Sequence, residues 1–254
     1  MLSAERKLEI AKIINENGKI KTSELSKRFN VSEMTVLRDL ASLEEEGVLK
    51  RVYGGALAFN DSSNEISSVF RGKINRKQKD SIASKALSLI TDGSSIYLDS
   101  STTSLSLAKL VMSKINITLV TNGLDIINAA KGNGKIKIIC PGGELNDVNM
   151  SFYGPSAEKF MEDVNVNIAF ISAAGISLKS GITEQNPQNI AIKKIMVKNS
   201  DISVLLIDSS KFDKITLNRV CLLQDIDTII TDKEPASQYV ELFRNNDIKL
   251  LYCS

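Results

Sequence analysis

Histidine is absent from this 254-residue chain. That excludes Ser-His-Asp and Cys-His nucleophilic catalysis and most zinc sites, which need an imidazole as base or ligand. Tryptophan is absent too, and only 5% of residues are aromatic. A broad stacking platform for single-stranded nucleic acid is therefore not expected. The three cysteines, Cys140, Cys221 and Cys253, are scattered, odd in number and without metal-like spacing. They read as reduced thiols of a cytosolic protein. A thiol redox sensor is the weaker reading, because no basic residue flanks Cys140 or Cys253 closely enough to lower a thiol pKa. No metal site and no cofactor is expected. No apolar run approaches the ~18 residues that span a bilayer. The opening MLSAERKLEI is charged and lacks the apolar core of a signal peptide. A cytoplasmic protein with no membrane partner is expected.

What is present is an ordinary globular composition, 43% hydrophobic and 24% charged, enough to bury a core. The length suits one large domain or two unequal ones. The net charge of +2 nominates no partner. Even the first 56 residues carry ten Lys/Arg against nine Asp/Glu.

Residues 1–57 carry a helix-turn-helix pattern. Ser3 is placed to cap a helix over residues 4–17, with Ile10, Ile13 and Ile14 on one face and Gly18 as its stop. A short helix fits Thr22–Phe29. Asn30 then stands where a tight turn needs a left-handed residue, which Asn tolerates. Ser32 is placed to cap a third helix that Gly47 ends. On that helix Val36, Leu40 and Leu43 share one face. Met34, Thr35, Arg38 and Ser42 lie opposite. Thr35 and Arg38 can hydrogen-bond base edges or phosphates, and Met34 can touch a thymine methyl. Two short helices, a tight turn and a polar outer face suit the DNA major groove. The next stretch, GVLKRVYGGA, alternates and ends in Gly-Gly, as a hairpin does. Lys50, Arg51 and Tyr53 would project from it as a wing beside the DNA backbone. The acidic run Glu44–Glu46 would point away from the duplex. Thr22 and Ser32 complete the expected DNA-facing set. The plain alternative is a three-helix packing module with a solvated polar face.

Residues 58–70 read as a linker, because Ala58–Ser68 is polar and aperiodic. The basic run that follows, with Arg71, Lys73, Arg76, Lys77 and Lys79, reads as a solvated helix start. Residues 71–254 then alternate short β-branched runs (SIYLD, ITLVT, IKIIC, IAFISA, SVLLID, DTIIT) with helical stretches. That is the pattern of an α/β domain with a largely parallel sheet. In such sheets ligands bind at the carboxyl ends of strands. The loops there are polar. LDSSTTS leaves a strand and enters a helix, so Ser101, Thr102 and Thr103 with the helix-start N–H groups can cradle a phosphate. Asp99, Thr121 and Asn122 lie beside it. Gly143 allows close backbone approach, and Glu184, Lys193 and Lys211 add charge. The implied ligand is a small polyol or its phosphate.

Val31–Ala56 resembles the N-terminal signature of DeoR-type bacterial transcriptional regulators. The matching residues are Val31, Ser32, Thr35, Val36, Arg38, Asp39, Leu40, Leu43, Gly47, Arg51, Gly54, Gly55 and Ala56. Leu37 departs from it, where the family usually has Arg, as does Tyr53, where His is common. The later loops resemble the family's effector-sensing domain, itself similar in fold to ribose-phosphate isomerases. Its Asp-x-Gly-Thr-Thr falls on Asp99–Thr103 with Ser101 in place of Gly. Its Thr-Asn falls on Thr121 and Asn122, its Gly-Gly on Gly142 and Gly143, and its Asp-x-Ser-Lys-Phe on Asp208, Ser210, Lys211 and Phe212. The resemblance implies a repressor of a sugar-catabolism operon that binds double-stranded operator DNA and a phosphorylated sugar. Few phosphate contacts per winged helix imply a homo-oligomer, a dimer or tetramer. The competing reading is a sugar-phosphate isomerase-like enzyme with an added DNA-binding segment, in which Asp99, Glu184 and Lys193 would act as acid and base. Fold alone does not carry that chemistry, and a non-enzyme is expected.

Overall fold

A computed structural model describes residues 1–58, 68–114, 116–132 and 134–253. They divide into two compact units, Met1–Ile74 and Asn75–Ser254. The first contains α1 (Ser3–Asn17), β1 (Lys19–Lys21), α2 (Thr22–Phe29), α3 (Glu33–Glu45), β2 (Leu49–Val52), β3 (Gly55–Ala58) and α4 (Ser68–Lys73). Gly18 closes α1 in the left-handed region and returns its N–H to Ile14. Asn30 makes the left-handed turn between α2 and α3, with φ 51°. Ser32 caps α3 by accepting from the Thr35 N–H. The expected cap Ser3 is instead the first residue of α1, and its hydroxyl donates to Asp39. Ile10, Ile13 and Ile14 pack with Leu25, Val36, Leu40 and Leu43, all buried.

The expected hairpin forms, turning at Tyr53 and Gly54. Its second strand, β3, also pairs with β1, so the small sheet runs β1-β3-β2. Most of the expected linker lies outside the described residues. Its far end does not behave as linker: Phe70 and Ile74 are buried in the first unit's core. The unit boundary therefore falls after Ile74 rather than before Arg71.

The second unit opens with α5 (Arg76–Leu87), then β4 (Ser95–Leu98), α6 (Thr102–Val111), β5 (Ile117–Thr121), α7 (Leu124–Ala130) and β6 (Ile136–Ile139). A hairpin of β7 (Glu144–Asn146) and β8 (Ser151–Tyr153) leads to α8 (Pro155–Glu162) and β9 (Val166–Ile171). There follow β10 (Gly175–Ser177), β11 (Gly181–Glu184), α9 (Pro187–Lys198), β12 (Ser200–Leu206), β13 (Asn218–Cys221), β14 (Thr228–Thr231), α10 (Ser237–Asn245) and β15 (Lys249–Tyr252). Seven strands form one parallel sheet in the order β15-β14-β12-β9-β4-β5-β6. Strand residues alternate between faces. Ile96 and Leu98 pack toward α5–α7, while Tyr97 packs toward α8–α10. The basic run entering α5 is not wholly solvated, since Lys79 is buried.

The strand order decides where a ligand can sit. From β4 the chain moves outward through β5 and β6, then returns to β9 on the other flank of β4 and continues through β12, β14 and β15. The order reverses between β4 and β9. Connections diverge at such a switch point and leave a crevice at the carboxyl ends of the two strands.

Candidate functional site

In the first unit α3 presents Met34 and Arg38 to solvent, with Met34 63% exposed. Ser32 stands exposed and Thr35 half-buried at its start, with their hydroxyls 2.9 Å apart. Lys50, Arg51 and Tyr53 are exposed on the hairpin. Seven of the eight expected DNA-facing residues therefore reach a surface. Thr22 does not. It is 4% exposed and its hydroxyl is buried, because the start of α2 packs under the hairpin and its N–H donates to the Gly54 carbonyl at 2.9 Å. Ser42 is also held inward, accepting from Lys7 Nζ at 2.6 Å. The acidic run does not simply turn away. Glu44 binds Arg51 twice, through the backbone N–H at 2.8 Å and Nε at 2.6 Å.

In the second unit the switch point is closed by Asp99, which follows β4 and is 1% exposed. Its Oδ1 accepts from the Ser101 N–H (3.2 Å) and the Ser104 hydroxyl (2.6 Å). Its Oδ2 accepts from the Ser172 N–H at the end of β9 (2.9 Å). Lys193 Nζ, from α9, lies 3.4 Å from the same oxygen and donates to Glu184 at 2.5 Å and to the Ser172 carbonyl at 2.7 Å. Burial works to lower the Lys193 pKa. The carboxylates of Glu184 and Asp99 outweigh it and hold the ammonium above its ordinary value. The cluster thus ties β4, β9, β11 and α9 together, with one ammonium shared by two carboxylates.

Ser101, where the family pattern has Gly, is the N-cap of α6; its hydroxyl accepts from the Ser104 N–H at 3.1 Å and donates to the Ser104 hydroxyl. Thr102 follows, half-buried, and Thr103 is buried. Thr121 is buried and its hydroxyl accepts from the Gly123 N–H. Gly123 brings this loop against the β4 loop, since a Cβ there would stand 3.1 Å from the Ser100 Cα. At Gly143, with φ 123°, a Cβ would meet the Tyr153 carbonyl at 2.6 Å, so the glycine admits the close approach of β8. Lys211 is half-buried on the turn after β12.

Two buried acceptors stand out. Asn122 donates to the Phe152 carbonyl, but its Oδ1 has no partner. Asn189, 7% exposed on α9 one turn before Lys193, also has an unpartnered Oδ1. Sequence reading passed over Asn189; the signal was its i, i+4 spacing from Lys193. A buried carbonyl oxygen without a donor costs about 1–3 kcal/mol, so both oxygens suit a ligand rich in hydroxyl donors. No group of His, Cys, Asp and Glu side chains able to hold a metal occurs among the described residues. No helix there is long and apolar enough to cross a membrane.

Residues 74–233 match the profile of the DeoR C terminal sensor domain, and residues 6–62 that of the DeoR-like helix-turn-helix domain. The uncharacterized HTH-type transcriptional regulator YulB of Bacillus subtilis is 36% identical over 239 residues, 93% of this chain and 92% of its own. A lactose phosphotransferase system repressor of Staphylococcus epidermidis is 33% identical over 248 residues, covering 92% and 96%. The solved ribose 5-phosphate isomerase A of Methanocaldococcus jannaschii aligns over 54% of this chain and 55% of its own, with TM-score 0.41 and 17% identity.

Proposed function

The chain belongs to the DeoR family of DNA-binding transcriptional regulators, and on that premise we propose that it represses a sugar-catabolism operon under the control of a phosphorylated sugar. The observation that carries the effector half is the β4/β9 switch point. There stands a capped helix start, with the buried, donor-less amide oxygen of Asn122 on the neighbouring β5 loop and that of Asn189 one turn before Lys193 on α9. The phosphate lies at the start of α6, against Thr102, Thr103 and the free N–H groups of its first turn. The sugar hydroxyls donate to Asn122 and Asn189, and Lys211 adds a cation. Asp99, Glu184 and Lys193, expected among the effector-binding residues, act in this reading by positioning the loops that hold the sugar. The one ammonium is shared between the two carboxylates and all three groups are engaged with one another, which favours a positioning role and a regulator without enzymatic activity. The repressor sign rests on the lactose-system relative named above.

A thermal-shift series tests this. Sugar phosphates, the matching free sugars and inorganic phosphate are compared on the wild type and on Thr102→Val, which keeps the shape and deletes the hydroxyl. A ligand that prefers the native state raises the melting temperature. At least one sugar phosphate should do so, with a smaller rise in the variant. An unchanged rise in the variant places the phosphate elsewhere, and no rise with any sugar phosphate removes the effector assignment. In operator binding by anisotropy, the same compound should weaken affinity roughly 5–150-fold for a coupling of ~1–3 kcal/mol.

The working form is a homo-oligomer, with two winged helices set about one DNA turn apart (~34 Å). Sedimentation at micromolar concentration should show a species heavier than the 27.8 kDa chain. A single 27.8 kDa species with and without DNA would contradict it.

A further inference from the structure

The wing's Arg51 spends two of its donors inside the protein. Its backbone N–H and its Nε reach the two oxygens of one carboxylate, Glu44, in the last turn of α3. Such a grip does two things. It fixes the hairpin's cation to α3 while the Arg51 side chain stays 45% exposed. It also keeps a full negative charge within hydrogen-bond distance of an exposed cation on the hairpin. Both partners are solvent-exposed, with side-chain exposures of 45% for Arg51 and 34% for Glu44, so the pair adds little to folding. Its effect falls on binding.

We propose that Glu44 is a specificity-determining residue of the DNA interface, which holds Arg51 in one geometry and opposes its unspecific attraction to phosphate. On a matched site the fixed guanidinium meets its phosphate or base without further ordering, so Glu44 costs little there. On unmatched DNA the register is wrong, and Arg51 can bind a phosphate only by leaving Glu44. Unspecific affinity is almost wholly electrostatic, so it is the quantity a fixed negative charge reduces most. Hydrogen bonds from Arg51 hold the Glu44 carboxyl below its usual pKa, so the charge persists through the neutral range.

The test uses the full chain, a duplex selected by the wild type from a random pool, and a shuffled duplex of equal composition. Dissociation constants are measured against salt for wild type, Glu44→Gln, Arg51→Ala and the double variant. Glu44→Gln should tighten binding to the shuffled duplex about two- to fivefold, the range of an exposed ion pair. It should steepen the shuffled-duplex salt slope by up to ~0.9, one added phosphate contact. The selected duplex should change less, so the ratio between the two falls. In the Arg51→Ala background the same substitution should do markedly less. Equal weakening on both duplexes would mean that Glu44 only supports the fold. A tightening that persists undiminished without Arg51 would mean a general charge effect. Either result overturns the proposal, and a melting curve on each variant separates loss of folding from loss of binding.

Discussion

At the scale of single residues, the buried pair Arg6–Asp39 has the largest predicted effect. Arg6 Nε lies 2.5 Å from Asp39 Oδ2 and its Nη2 3.2 Å from Oδ1, with both residues buried. Asp39 sits beside Arg38 on α3, so the pair ties the recognition helix to α1. Asp39→Ala strands a buried guanidinium, and breaking such a pair costs about 3–5 kcal/mol. Urea unfolding of the isolated change should show a loss of that order. The double replacement Arg6→Met with Asp39→Leu should recover most of it, because neither charge is then left unpaired. A loss below ~1 kcal/mol for Asp39→Ala would show that solvent reaches Arg6 and that the pair is no lock. Asp39 was visible in the family signature, but its partner was not, for Arg6 lies 33 positions earlier. Thr22 fails for a similar reason. A hydroxyl at a helix start reads as exposed, and only the hairpin folding over it buries it. The surface residues of α3 were legible because helical periodicity alone separates Met34 and Arg38 from Val36 and Leu40.

At the scale of elements, length decided what could be read. The six runs from SIYLD to DTIIT are strands because continuous β-branched segments buried on both faces have few alternatives. The three-residue strands β1, β7, β8 and β10 carry too few positions for any period to show. β7 pairs with β8 and β10 with β11 across short hairpins, whereas β1 finds its partner only in β3, beyond two intervening helices. The consecutive glycines of the wing give a clean comparison. Gly54 turns the hairpin at φ 76° with open space around it, so Gly54→Ala costs only the left-handed penalty of ~1–2 kcal/mol. Gly55 has ordinary φ but sits on the central strand of the small sheet, where a Cβ would lie 2.2 Å from the Ile20 carbonyl. Backbone cannot yield as a side-chain tip can. Gly55→Ala should therefore push β1 off β3, at the upper end of or beyond the ~1–3 kcal/mol of overpacking. Chemical denaturation of both variants checks the order. Equal losses, or a greater loss at Gly54, would show that the strand pairing relaxes freely.

At the scale of the whole molecule, the larger unit joins distant elements through buried acidic groups that are neutral when folded. Tyr97 of β4 donates its hydroxyl to the Val164 carbonyl, and Tyr239 of α10 donates to Asp213 at 2.7 Å. Cys221 of β13 lies in the same core cluster. Burial pushes each of these three groups up to about 12. Unfolded, a thiol ionises near ~8.5 and a phenol near ~10. Between those values and about 12 the folded chain binds protons that the unfolded chain has released. Stability from these groups is therefore complete below about pH 8.5 and falls as pH rises toward 12, by ~1.4 kcal/mol per pH unit for each group fully in that window. Lys193 acts in the same direction, since its raised pKa gives stability that is lost only at high pH. Because the three acids share one core with strands, helix and antiparallel sheet, their ionisation should unfold that unit as a whole. Thermal melts followed by circular dichroism should show a steep fall in melting temperature above pH 9. Tyr97→Phe with Tyr239→Phe removes two of the ionising hydroxyls. It should start less stable at pH 7, having lost their hydrogen bonds, yet fall less steeply between pH 10 and 12. A double variant that falls as steeply as the wild type would mean that the alkaline limit lies in other groups.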